Sequence, residues 1–264
     1  MSYIQSNKAA WEEAFDNKQP HWGDNNYLRL KSEYLAFFNK DMQSELENIN
    51  FKGKVVAQFC CNNGRELLSL VAGGAGSGVG FDIAENIIKQ AQETAEKAGL
   101  KNCSFVACNI LEIPASYANQ FDIILFTIGA LTWFKDLPVL FAKAAECLKP
   151  GGLVLINDFH PVLNMLPIPG EAEYDPSDLK RITYPYFQSE PRLEDDGMDY
   201  MSVKYKSKTF TSFVHTMAAI INGLAVNSLK TTKLNEYDYD IMDSAAVYDN
   251  KGFPLSFILR AEKC

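Results

Sequence analysis

From about residue 54 onward, short apolar runs alternate with amphipathic stretches, and no other feature of the chain constrains its fold so strongly. A strand buried on both faces reads as a short, continuous apolar run, and reaching the next parallel strand takes a crossover of a dozen or more residues, usually a helix. Residues 54–60 (KVVAQFC), 79–82, 104–107, 121–126 (FDIILF) and 152–158 (GLVLIND) are such runs, and every gap between them can hold a crossover. Between the second and third, Ile87, Ile88, Ala91, Ala95 and Ala98 share one helical face, and Gly99 supplies the stop. Asp136 is placed to cap a further helix, with Pro138 tolerated in its first turn. Leu137, Leu140, Phe141, Ala144, Ala145 and Leu148 recur there at helical spacing before residues 149–152 (KPGG) end it.

Residues 160–212 break the rhythm with several prolines, an acidic turn at 194–197 (EDDG) and an alternating segment, SVKYKSKTF, and so predict an insertion of short antiparallel strands. The chain resumes with a helix at 215–226 and strands at 233–239 and 255–261, the last two joined too closely for a crossover helix and therefore expected to form an antiparallel hairpin. Two helical patterns, 6–16 and 26–48, flank residues 21–24 (HWGD) ahead of the first strand, where they can fold over its carboxyl end as lid material. The expectation is thus an α/β chain with a doubly wound, mostly parallel seven-stranded sheet. Residues 1–50 form a helical lid segment in this reading, and residues 51–264 the main domain with its insertion after strand five.

Composition narrows the function. The formal net charge is -8 and the basic residues are scattered, which disfavours nucleic acid as a partner. No apolar run is long enough to span a membrane and the N-terminus lacks a signal-peptide pattern, so a cytoplasmic protein is expected, as a monomer or homodimer. Six cysteines form no CxxC pair, and the three histidines, His21, His160 and His215, have no neighbouring ligand, so no metal site is expected.

In an open parallel sheet, ligands gather at the carboxyl ends of the strands, near the point where strand order reverses. After the first strand, Gly64 would let backbone approach a ligand, but a dinucleotide cradle wants GxGxxG and only one glycine is present in the loop. A nicotinamide-dependent oxidoreductase is the rival reading, against which the missing GxGxxG argues, and a non-catalytic adenosyl-ligand-binding protein is a second. Asp82 stands 18 positions after Gly64, near the ~20 expected for the carboxylate that holds a ribose diol. Its alternative role is to cap the helix beginning near Ala84. Ile83 can lie against an adenine face, and Asn109 with Ile110 can meet the adenine edge, although Asn109 also suits a turn.

The succession VVAQFCCNNGRELLSL, GVGFDIAENIIKQAQ, FVACNILEIP and FDIILFTIGALTWFKDLPVLFAKAAECLKPGGLVLINDFHPV resembles the bacterial class I S-adenosylmethionine-dependent methyltransferases, with their Rossmann-like fold, over about residues 54–162. A weaker likeness extends to VHTMAAIINGL and PLSFILRAEK. The resemblance implies that Cys60, Asn62 and Gly64 wrap the methionine part of S-adenosylmethionine, that Asp82 binds its ribose, and that Ile83 touches adenine. It also puts Asn109 where the family usually has an acid, and the first loop lacks the common GxGxG spacing. The product-side cofactor would be S-adenosylhomocysteine.

Residues 126–133 (FTIGALTW), with Thr127, would then run past the sulfonium, whose charge backbone carbonyls and aromatic faces can stabilise. Methyl transfer is an in-line displacement, so the protein's task is to align donor and acceptor and exclude water. A general base is needed only where the acceptor must lose a proton, and His160 and His215 are the titratable candidates. Trp22, Tyr27 and Trp133 are candidate walls for a small-molecule acceptor, and Tyr184, Tyr186 and Phe187 of the insertion can close over it or pack elsewhere.

Overall fold

The computed structural model describes residues 2–198, 201 and 203–264. Seven strands form one sheet: β1 (Val55–Phe59), β2 (Ser77–Asp82), β3 (Cys103–Ala107), β4 (Phe121–Thr127), β5 (Leu148–Phe159), β10 (Leu229–Tyr237) and β11 (Ser256–Lys263). Their spatial order is β10-β11-β5-β4-β1-β2-β3. The first five run parallel, whereas β11 lies antiparallel to both β5 and β10. Order therefore reverses between β1 and β4, and their carboxyl ends open the crevice that such sheets use for ligands. This is the Rossmann-like, doubly wound sheet with a C-terminal hairpin that the sequence predicts.

Helices cover both faces. Helices α6 (Leu137–Cys147) and α7 (Met217–Ala225) bury Leu140, Phe141, Ala144 and Leu224 against Phe59, Phe81 and Phe126 on one side. On the other, α3 (Lys40–Asn48), α4 (Arg65–Ala72) and α5 (Glu85–Ala98) bury Met42, Leu46, Leu67, Ile88 and Ala91 against Val56, Ile123 and Leu155. Phe59 meets Phe81 and Phe126 edge-on at 5.6 and 5.5 Å. Each such fully buried ring contributes about 1.5–3 kcal/mol relative to exposure, so the strands that carry the ligand loops are also the most firmly held. Helix ends follow the expected chemistry: the Asp136 carboxylate accepts the Val139 N–H, and Gly99 closes α5 in the left-handed conformation.

Four expectations change. The pattern at 26–48 is two helices, α2 (Asn26–Ser32) and α3, because Leu35 turns inward with φ 49° and is buried, while the Asn39 side chain starts α3 by accepting the Met42 N–H. Residues 149–152 do not merely end α6, since β5 begins at Leu148 and runs through them, with Gly151 at φ 71° and Leu148 paired to Phe121. Helix α7 starts at Met217 rather than 215, after the Thr216 hydroxyl accepts the Ala219 N–H. The strand expected at 233–239 starts earlier, at Leu229, whose side chain is fully buried.

The insertion contains two small antiparallel pairs, β6 (Arg192–Glu194) with β9 (Phe210–Ser212) and β7 (Gly197–Met198) with β8 (Val203–Lys204). Ser202, which opens the alternating segment, lies outside the described residues. The first helix, α1 (Tyr3–Asp16), is strapped to β9: the Asn7 amide donates to the Thr211 carbonyl at 2.8 Å and accepts the Thr211 N–H at 2.7 Å. Among the described residues no helix is long and apolar enough to cross a membrane.

Candidate functional site

Three loops converge beside the reversal point. Behind β1, Cys60, Asn62 and Gly64 have φ of 55°, 50° and 72°, a left-handed succession that costs roughly 1–2 kcal/mol at each non-glycine residue. Gly64 has no substitute, because a Cβ there would stand 2.4 Å from the Phe105 ring. The loop is pinned by Asp82 at the end of β2, which is 9% exposed and accepts the Asn62 N–H at 2.8 Å on Oδ2 and the Ala84 N–H at 3.1 Å on Oδ1. Burial pushes the Asp82 carboxyl above its ordinary range, while the amides of Ala84, Asn62 and Ile83 hold it back. The thiols of Cys60 and Cys61 are pushed well up, first by burial and then by the Asp82 charge.

Of the two roles considered for Asp82, the backbone bonding bears on the capping one. It takes the amide at the start of α5, though the N-cap itself is Ala84, and it ties two ligand loops together. A carboxylate offers about four acceptor sites, so backbone bonding does not exhaust it. Asn63 in the same loop carries a buried Oδ1 with no hydrogen-bond partner, beneath the turn at Gly23.

Behind β3, the Asn109 Oδ1 accepts the Leu111 N–H at 3.2 Å and starts a short 3-10 turn. Ile110 is 3% exposed and packs into the core with Phe59 and Phe81. Ile83 is partly exposed at the crevice. The Thr127 hydroxyl is buried and accepts from Gln58 Nε2 at 2.8 Å, while Gln58 Oε1 takes the Leu67 N–H, a relay joining β4 to α4.

Trp133 stands edge-on to Trp11 of α1 at 5.3 Å and near Phe210 of β9 at 6.1 Å, and Trp11 meets Phe210 at 5.7 Å. This aromatic cluster joins the loop after β4 to the N-terminal helix and the insertion. Trp22 instead packs against Phe15, and its carbonyl accepts from Gln90 Nε2 over the loop behind β1. Tyr27 lies on α2, which packs against α4 and α5, and the Lys31 ammonium sits 5.3 Å from its ring centre. Tyr27 forms no part of the aromatic cluster or of the cavities described next. In the insertion, the Tyr186 hydroxyl accepts the Met217 N–H, Tyr184 donates to Glu171, and Phe187 is largely exposed.

The two histidines separate clearly. His160 accepts the Val162 N–H on Nδ1 at 3.1 Å, which leaves the ring proton on Nε2, 2.8 Å from Glu236 Oε1. Burial lowers its pKa despite the Glu236 charge. Both ring nitrogens have a partner, the Val162 amide and the Glu236 carboxylate. His215 donates from Nε2 to the Phe134 carbonyl at 2.9 Å, and burial lowers its pKa while the carbonyls of Phe134 and Leu131 oppose. It lines a narrow cavity of about 20 Å³ together with Thr132, Asp158, Phe159 and Phe213. It also lines a polar cleft of about 360 Å³ beside Lys135, Gln188 and Glu190.

Sequence reasoning missed Asp158, Trp11, Phe210 and Asn7. Asp158 closes the apolar run of β5, and a lone acid after such a run is the signal that Asp82 also gave. The other three come together only through contacts across some two hundred residues.

A family model described as a methyltransferase domain matches residues 50–212. A curated tRNA U34 carboxymethyltransferase of Helicobacter acinonychis is 28% identical over 134 residues, 49% of each chain. The chain spans about half the length of the curated relatives it matches, 45% and 49% of them. Among solved structures, an S-adenosylmethionine dependent methyltransferase from Mesorhizobium loti aligns with a TM-score of 0.59 at 17% identity, covering 83% of this chain and 96% of that one. Geranyl diphosphate C-methyltransferase from Streptomyces coelicolor A3(2), solved with Mg2+, geranyl diphosphate and S-adenosyl-L-homocysteine, aligns with a TM-score of 0.61 at 12% identity over 100% and 98% of the two chains. At these identities the structures establish a shared fold.

Proposed function

The chain belongs to the methyltransferase domain family, and on that premise we propose that it moves a methyl group from S-adenosylmethionine to a small-molecule acceptor. The observation that carries the reading is the buried Asp82 carboxylate at the end of β2, held between the amides of Asn62 and Ala84 with acceptor capacity to spare. The residues fit the group. Asp82 would accept the ribose hydroxyls, Ile83 would face adenine, and Asn109 would meet its edge. Cys60, Asn62 and Gly64 would surround the methionine part, whose ammonium would suit the unpartnered Oδ1 of Asn63. Bound there, S-adenosylmethionine supplies an electrophilic methyl group on a cationic sulfur.

The chain's own contribution is orientation and exclusion of water. Thr127, through Gln58, keeps the end of β4 in register, and the Trp11, Trp133 and Phe210 cluster seals one side. Within the 1–50 segment the lid role belongs to α1 and the turn at Trp22, since α3 packs into the sheet's core. His215, which lines both cavities, is placed to take a proton from an acceptor through Nδ1 while Nε2 holds the Phe134 carbonyl.

The net charge of -8 supports a small acceptor over a nucleic acid. Calorimetric titration with S-adenosylhomocysteine and with NAD, followed by a methyl-release screen over small metabolites with bulk tRNA in parallel, tests the reading. Binding of NAD in preference to S-adenosylhomocysteine would refute the cofactor, and methylation confined to tRNA would refute the acceptor class.

A further inference from the structure

Asp158, the penultimate residue of β5, is only 3% exposed. Its Oδ1 takes the Gly129 N–H at 2.6 Å and the Phe159 N–H at 2.8 Å, so the carboxylate braces the loop after β4. It also forms the charged end of the narrow cavity, whose remaining walls are mostly apolar, among them Phe159, Phe213, Ile220 and Phe257. No lysine or arginine lines that cavity, and only backbone amides, those of Gly129, Phe159 and Leu131, offset the cost of burying the charge. A buried carboxylate without a cationic partner is expensive. The cavity, about 20 Å³, has room for one water-sized polar group. Phe213 and His215 border both this cavity and the 360 Å³ cleft outside it, where Lys135, Gln188 and Glu190 lie.

A small head group inside and a larger body outside is the occupant that these two spaces fit, and the uncompensated carboxylate selects the charge of the head. We propose that Asp158 anchors the methyl acceptor, and that the acceptor is a small amine whose ammonium enters the inner cavity past Phe213 and His215 while its body rests in the outer cleft. The assignment of this ligand as the acceptor rests on the methyltransferase reading above, whereas its binding does not. Asp158 is then a specificity-determining residue, distinct from the Asp82 that grips the cofactor.

The test is calorimetric binding of benzylamine and butylamine, with benzyl alcohol and butanol as uncharged controls, to the full chain with and without saturating S-adenosylhomocysteine. The amines are expected to bind about tenfold or more tighter than the matching alcohols, as one charge-assisted contact allows. Asp158→Asn should erase that preference and leave the S-adenosylhomocysteine Kd within about threefold of wild type, which also shows that the variant is folded. Equal binding of amines and alcohols by wild type, no binding of either, or a preference that survives in Asp158→Asn overturns the proposal. So does a variant that loses S-adenosylhomocysteine instead, since the carboxylate would then serve the cofactor and not the acceptor. An amine preference that depends on Asp158 in a protein that binds no S-adenosylhomocysteine would leave the cationic pocket standing and remove the methyltransferase reading.

Discussion

Replacing Asp158 by asparagine should stabilise the protein at neutral pH. The carboxyl is pushed from its ordinary 3.8 to about 6 by burial, against the amides of Gly129, Phe159 and Leu131. One pKa unit corresponds to 1.36 kcal/mol, so keeping this group ionised in the fold costs about 3 kcal/mol at pH 7 relative to the unfolded chain. The sign follows from proton counts. Between 3.8 and about 6 the native state binds more protons than the unfolded one, so stability falls as pH rises through that window. An asparagine oxygen can still accept the Gly129 and Phe159 amides, but its new NH2 group needs a partner at a cost of about 1–3 kcal/mol, which reduces the gain to about 0–2 kcal/mol. Urea unfolding of wild type and Asp158→Asn from pH 4 to pH 8 isolates this group, because every other carboxylate cancels in the difference. The gain should be near zero at pH 4, grow through pH 6 and then level off. A difference that is flat with pH, or a variant less stable at pH 7, would refute the account of a carboxylate held ionised at the fold's expense.

Asp82→Ala should weaken S-adenosylhomocysteine binding by about tenfold or more, read by calorimetry, and unchanged affinity would remove Asp82 from the ribose site. Gly64→Ala must place its Cβ 2.4 Å from Phe105 at a φ of 72°, so a loss of about 2–4 kcal/mol is expected, and a thermal midpoint equal to wild type would contradict it. His160 and His215 both have pKa values lowered by burial, so the stability they contribute is present above their ordinary 6.5 and lost as pH falls below it. His215→Gln should flatten that loss in urea titrations, and a variant with the wild-type slope would show that His215 does not titrate on unfolding. Trp11→Ala should detach α1 from Trp133 and Phe210 and expose residues 17–25 to limited proteolysis, with no change in cutting as the contrary result.

Legibility of the fold in the sequence tracked the range of the interactions involved. Strands β1 to β5 are continuous apolar runs because both sheet faces are covered, and α5 carries its face and its Gly99 stop within fourteen residues. The errors fell where a distant partner overrode a local pattern: Leu35 leaves the helical track to reach the core, and β5 starts early because Phe121 offers Leu148 a ladder. The placement of Asp82 beside the loop behind β1 is readable because their spacing is set by one strand, one turn and one helix. The acceptor side was not. Asn7 meets Thr211 across 204 residues, and Trp11 reaches Phe210 and Trp133 from three separate segments. No period or motif records such a meeting, and so nothing in the sequence separates His160, next to the strand, from His215, which lines the two cavities described above.

Asp82 and Asp158 also show why a bland reading and a functional one need not compete. Each lies at the carboxyl end of a strand of the same sheet, each accepts one amide from its own side of the turn and another from a neighbouring loop, and each is buried with its carboxyl pushed up. At Asp158 both amides meet Oδ1, so a neutral asparagine could accept them at lower desolvation cost and bracing alone does not account for the charge, whereas at Asp82 they fall on separate oxygens. What a carboxylate adds is a second strong acceptor oxygen and a negative potential in a space that water hardly screens. Those are the properties that a ribose diol at one strand end and an ammonium at the other would draw on. The stability that Asp158→Asn recovers is therefore a measure of what the fold gives up to keep the pocket charged.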